Sequence, residues 1–69
     1  MTMTLTMRVA KRLRARREAR GWSQARLAQA AGISRGYLIR LEASEQDPTL
    51  TVLAKLAKAL KVPLVELVK

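Results

Sequence analysis

From Ser34 to Ala43 the sequence reads S-R-G-Y-L-I-R-L-E-A, and its two arginines are the side chains best suited to recognising a partner. At about 100° per residue on a helix, Arg35, Gly36, Ile39, Arg40 and Ala43 share one face. Leu38 and Leu41 point the other way, with Tyr37 and Glu42 at the edges. The first face carries two guanidiniums and no carboxylate. A guanidinium is a rigid fork of donors that fits paired acceptors, either phosphate oxygens or the O6 and N7 of guanine in the major groove. Ile39 can cover an apolar group such as a thymine methyl. Other chemistry lacks its parts: with no Cys and no His there is no disulfide, no thiol or imidazole catalysis and no usual zinc site. No catalytic residue, metal site or cofactor is predicted.

A two-faced helix of this kind needs neighbours that fix its angle. Upstream, Leu27, Ala28 and Ala31 fall at helical spacing, and Gly32, between the two segments, can take the positive φ that a sharp turn demands. Ser23 and Ser34 are each placed to cap the helix that follows. Ala28 stands where a large side chain would hold two helices apart, and Ile33 plugs the corner. The stretch from Ser23 to Glu42 therefore predicts two short helices joined by a tight turn.

The pattern S-Q-x-x-L-A-x-x-x-G-I-S-x-x-x-L-x-x-L-E resembles the phage-repressor and Cro type of helix-turn-helix domain, often called the xenobiotic-response-element family. The likeness runs from about Val9 to Leu67. It implies an all-α, compact five-helix repressor-like domain that binds double-stranded DNA, with the second helix of the pair in the major groove. The resemblance puts Arg35, Gly36 and Arg40 at positions that choose bases, and Ser34 and Tyr37 at backbone contacts. Gln24 matches a glutamine that opens the first helix of the pair, touches the DNA backbone and braces a side chain at the start of the second. An amide at a helix N-terminus facing phosphate is physically sensible. Arg17 matches a helix 1 arginine that pairs with the glutamate ending the recognition helix, here Glu42. Two positions depart from expectation, one for a helix interior and one for the family. Gly36 costs about 1 kcal/mol relative to Ala inside a helix; it either lets the backbone approach the groove or reads nothing. Ser44 stands where relatives have Gly, and Glu45 and Asp47 would repel phosphate, so the loop after the recognition helix is expected to touch DNA less than usual.

Sixty-nine residues leave room for one domain. Fourteen Lys and Arg against five Asp and Glu give a formal charge of +9, which attracts polyanions. Charge alone also fits an inert solvated surface or anionic lipid. Hydrophobic stretches are short and broken by charge, and Met1 to Thr6 lacks the features of a signal peptide. The expectation is therefore no membrane partner and a cytoplasmic, nucleoid-associated protein. Residues 1–6 are read as a flexible leader and 7–69 as the DNA-binding domain. Helix 1 is expected from Arg8 to Arg20, where Gly21 stops it. Arg12, Arg14, Arg16 and Arg20 are read as a solvated face with some phosphate contacts, and Trp22 as core. Thr49 should cap a fourth helix whose apolar stripe is Leu50, Leu53, Leu56, Ala57 and Leu60. The last segment, V-P-L-V-E-L-V-K, resembles the family's short fifth helix. If Leu64 and Leu67 complete the core, Val65 and Val68 are left exposed as a symmetric dimer contact. With the sequence ending at Lys69, no separate effector or dimerisation domain is expected.

These readings converge on a sequence-specific, double-stranded DNA-binding transcriptional regulator rather than an enzyme, a homodimer that reads a near-palindromic operator. R-G-Y-L-I-R-L-E followed by D-P-T-L also resembles controller proteins of restriction-modification systems, and compact domains of this kind serve as antitoxins. A module whose main partner is another protein stays open as the alternative.

Overall fold

A hydroxyl opens each of the four longer helices, and a left-handed residue closes it. The helices are α1 (Leu5–Ala19), α2 (Gln24–Ala31), α3 (Arg35–Glu42), α4 (Leu50–Leu60) and a short α5 (Val65–Val68). They are seen in a computed structural model that describes residues 3–69, among which there is no strand. The side-chain oxygens of Thr4, Ser23, Ser34 and Thr49 accept from the N–H groups of Met7, Arg26, Tyr37 and Val52. Each such cap is worth about 1 kcal/mol. At the other ends, Gly21, Gly32, Ser44 and Lys61 all have φ between 57° and 70°. The N–H groups there turn back onto the last helical carbonyls, as Gly32 does to Gln29 at 3.2 Å and Ile33 to Ala28 at 3.0 Å. A methyl on Gly32 would meet nothing within 4 Å. Backbone conformation, not space, is what calls for glycine at this turn.

Helix α1 begins at Leu5, earlier than the Arg8 expected from sequence, because Thr4 supplies a cap. Leu5 and Thr6 of the expected leader are thus helical, while Met1 and Thr2 lie outside the described residues. The Thr6 hydroxyl donates to the carboxylate of Asp47, which ties the start of α1 to the loop between α3 and α4.

Helix α1 packs on α3 and α5, and α2 packs on α3 and α4, so α3 is held on two sides. Leu38 and Leu41 anchor it, at 0% and 1% exposure, each burial being worth about 1.5–3 kcal/mol. Leu13, Leu27, Leu56 and Leu67 complete the centre of the core. Two apolar residues differ from expectation. Leu50 is 72% exposed, since it is the first residue of α4 and the buried stripe starts one turn later at Leu53. Val68, expected exposed, is half-buried against the core, whereas Val65 is exposed. Helical angles account for this: Val68 lies about 40° from half-buried Leu64, and Val65 about 160° from buried Leu67.

Helix α5 is too short to hold itself and is clasped by charge. Glu66 pairs with Arg16 of α1 and with Lys69, whose Nζ is 2.9 Å away. The Arg8 guanidinium donates to the Val68 carbonyl at 3.3 Å. Hydrogen bonding to Lys69 holds the Glu66 carboxyl below the usual carboxylate range, against a smaller opposing effect of burial and with help from the charge of Arg16. A depressed carboxyl stabilises the fold above its unfolded pKa, so this contribution is lost as pH falls through the depressed folded value.

Ser44 and Lys61 occupy a region that strains ordinary L-residues by about 1–2 kcal/mol, against a glycine entropy of about 0.5–1 kcal/mol. Ser44→Gly and Lys61→Gly are each expected to stabilise the fold by up to about 1 kcal/mol in urea denaturation. A loss of stability in either would show that the side chain does more than tolerate the turn.

Candidate nucleic-acid interface

The exposed face of α3 exists because its opposite face is buried. With Leu38 and Leu41 turned inward, Arg35, Gly36, Ile39, Arg40 and Ala43 are all exposed. Ile39, at 39%, is a large apolar side chain in the middle of a cationic surface. Ser34, just before the helix, is exposed; its oxygen accepts from the Tyr37 N–H at 3.0 Å, which leaves its own hydroxyl proton free to donate. Tyr37 is half-buried, its ring packed against the core. The Arg40 guanidinium carbon lies 5.9 Å from the centre of that ring, a loose cation–π contact.

Behind this face the structure brings Arg17 and Glu42 together. Arg17 Nε and Nη2 donate to Glu42 Oε2 and Oε1 at 2.8 and 2.9 Å, and Nη1 donates to the Trp22 carbonyl at 2.8 Å. The side chains are 11% and 4% exposed. The hydrogen bond to Glu42 raises the Arg17 pKa above the ordinary guanidinium value, with burial opposing and the charges of Glu42 and Glu18 assisting. Stabilisation from this shift is fully present below the unfolded pKa, so acid and neutral solutions alike keep the guanidinium charged.

Gln24 joins the same cluster: its Nε2 donates to Glu42 Oε1 at 3.2 Å. One amide hydrogen of this half-buried residue is therefore directed inward, to the end of α3. Sequence reasoning paired Gln24 with DNA and with the start of α3 and missed this contact; only the fold brings residues 24 and 42 together. Two further features went unread. Arg14 lines a cleft of about 280 Å³ with Gln24, Ile39 and Ala43, so it borders the α3 face, and Glu18 partly neutralises it at 3.4 Å. Two guanidiniums lie over the Trp22 ring, those of Arg20 and Arg26 at 4.5 and 4.7 Å from its centre. Arg20 also donates to the Leu60 carbonyl at 3.0 Å, bracing α1 against the end of α4. The spacing of Arg20 and Arg26 around Trp22 was the available signal, but it has meaning only once the chain turns at Gly21.

Val65 and Val68 are on α5, which packs on α1 and α4 and not closely on α3. Among the described residues no group of three His, Cys, Asp or Glu side chains is placed to hold a metal, and no helix is long and apolar enough to cross a membrane.

Two short helices with a left-handed glycine between them, and an exposed cationic face on the second, are the features of a helix-turn-helix. A family model described as HTH_3, helix-turn-helix, matches residues 13–67. The chain belongs to the HTH_3 family. The HTH-type transcriptional regulator SutR of Escherichia coli K12 is 47% identical over 47 residues, which are 68% of this chain and 26% of SutR. This HTH_3 chain thus spans about a quarter of that relative's length. Among solved structures, the restriction-modification controller protein C.AhdI from Aeromonas hydrophila is 35% identical with a TM-score of 0.87, covering 90% of this chain and 94% of its own. A hypothetical transcription factor, NHTF, from Neisseria is 32% identical with a TM-score of 0.93, covering 96% of this chain and 76% of its own. The all-helical architecture of this HTH_3 domain is that of DNA-binding regulators.

Breaking a buried ion pair from one side costs about 3–5 kcal/mol, against a total of about 3–10 kcal/mol for a domain of this size. Arg17→Ala and Glu42→Ala should each destabilise the HTH_3 domain strongly in urea denaturation, and the double variant should lose less than the sum. Strictly additive losses would mean that the pair is not energetically coupled.

Proposed function

We propose that the chain is a sequence-specific, double-stranded DNA-binding transcriptional regulator that reads a near-palindromic operator as a homodimer in the cytoplasm, on the nucleoid. One observation carries the reading: the face of α3 that the core leaves exposed holds Arg35 and Arg40 and no carboxylate. In this reading α3 enters the major groove, Arg35 takes a guanine through its fork, and Ile39 covers an apolar base edge. Arg40 joins Arg35 on the reading face. Ser34, Tyr37 and Gln24 sit where phosphates flank the helix, and set its register rather than its choice of sequence. Gly36 is the one reading-face position without a side chain.

Dimerisation follows from scale. With eight residues, α3 is about 12 Å long and spans only a few base pairs, too few to define one site among a genome's competitors. Two copies related by a twofold axis would set their recognition helices about 34–36 Å apart on one side of the duplex. Exposed Val65, with Val68 on the shoulder beside it, is the proposed contact between copies.

Selection of bound sequences from a random duplex pool at physiological salt tests the whole. The expected product is a motif with twofold symmetry and a guanine in each half-site that Arg35→Ala no longer prefers. Affinity should also fall with salt, by about 0.9 in log K per log unit for each phosphate contacted. Val65→Asp should leave a folded protein that sediments as a monomer and loses cooperative binding to the full site. A selected site without symmetry, or a Val65→Asp variant that remains a dimer, overturns the assembly. Failure to select any motif overturns the DNA reading itself.

A further inference from the structure

The reading face of α3 has a gap at Gly36, and another residue's head group lies over it. Backbone conformation does not require glycine here, because only Gly21 and Gly32 among the glycines have positive φ. In a helix interior the residue costs stability relative to alanine. What distinguishes the site from the other two glycines is a neighbouring head group. A methyl built on residue 36 would stand 3.6 Å from Arg40 Nη1, at ordinary contact, so a side chain extending further in that direction would meet the guanidinium. The Tyr37 ring flanks the same guanidinium at 5.9 Å. Arg40 thus reaches back one turn along α3, as helical side chains tend to. Its fork is carried towards the half of the helix that bears Arg35.

We propose that Gly36 is a specificity-setting vacancy: by lacking a side chain it admits the Arg40 guanidinium, which reads as guanine the base pair that a residue at position 36 would otherwise face. The inference rests on the DNA-binding reading above and adds to it the identity of a second base and the residue that gives access to it. Arg40 is the reader, and Gly36 is a positioning residue. Each half-site then holds two guanines, one fixed by Arg35 and one by Arg40 through the same O6 and N7 acceptors.

The test is random-pool selection with the full chain as wild type, Arg35→Ala, Arg40→Ala, Arg40→Lys and Gly36→Gln. Arg40→Ala should reduce the preference for one guanine by about 5- to 150-fold. Arg40→Lys, which keeps the charge but not the fork, should relax that same position. Gly36→Gln should alter choice at that base pair and leave the guanine of Arg35 in place. Glutamine is the better helix former, so the thermal transition of Gly36→Gln by circular dichroism should be no lower than that of wild type, which separates lost reading from lost folding. The vacancy is refuted if Arg40→Ala weakens all sequences alike, if Gly36→Gln keeps the wild-type preference, or if the two variants change different base pairs. Should Arg35→Ala still relax its own guanine, the broader reading survives that refutation; if wild type selects no motif, both fall.

Discussion

Glu42 is where the structure is drawn together. Its carboxylate accepts two hydrogen bonds from Arg17 and one from Gln24, while Arg17 also holds the Trp22 carbonyl. Four segments meet through these contacts: α1, the corner after it, the first residue of α2 and the last residue of α3. An apolar cluster could supply comparable stability, since removing two charges from water can offset most of their attraction. What an apolar cluster lacks is direction. A guanidinium and a carboxylate joined by two parallel bonds fix an angle, and the angle fixed here is that of α3 to the helices behind it.

The charge surplus is divided in a way that separates approach from recognition. Arg14, Arg16, Arg17 and Lys69 are engaged with carboxylates. Arg20 and Arg26 are stacked on Trp22, and Lys55, Lys58 and Lys61 line a groove with the end of α2. Only Arg35 and Arg40 belong to the exposed face of α3. A field from the whole surface attracts a polyanion without regard to sequence, whereas discrimination depends on forks held at defined places. Increasing the net charge would therefore strengthen attachment without sharpening choice.

Much of the fold was legible because its signals are local. Ser23, Gly32 and Ser34 mark the ends of α2 and α3 within a few residues of the groups they satisfy, and the apolar spacing of Leu38 and Leu41 identifies the buried face directly. The signals that failed were ones whose meaning depends on distant partners. Thr4 reads in the sequence as part of a flexible leader, although it caps α1. Leu50 continued the stripe of α4 by angle but precedes the turn that reaches the core. Val68 lies close enough in angle to Leu64 to share its shelter, a distinction that four residues of helix hardly reveal. Within the candidate site, the match of Arg17 with Glu42 came from family resemblance. The inward turn of Gln24 and the position of Arg40 over Gly36 required coordinates, because long polar side chains choose among several directions that spacing alone does not rank.

The contact between Arg8 and the Val68 carbonyl has a consequence for how the chain is threaded. Met3 and Lys69 line one cleft with Arg8, so the first and last described residues are neighbours in space. Chain continuing outward from Met3 or from Lys69 would leave the described domain from the same corner. A short linker joining those ends would close the backbone into a ring, and new termini opened in the loop between α3 and α4 would give a circular permutant in which α2, the turn at Gly32 and α3 still run uninterrupted.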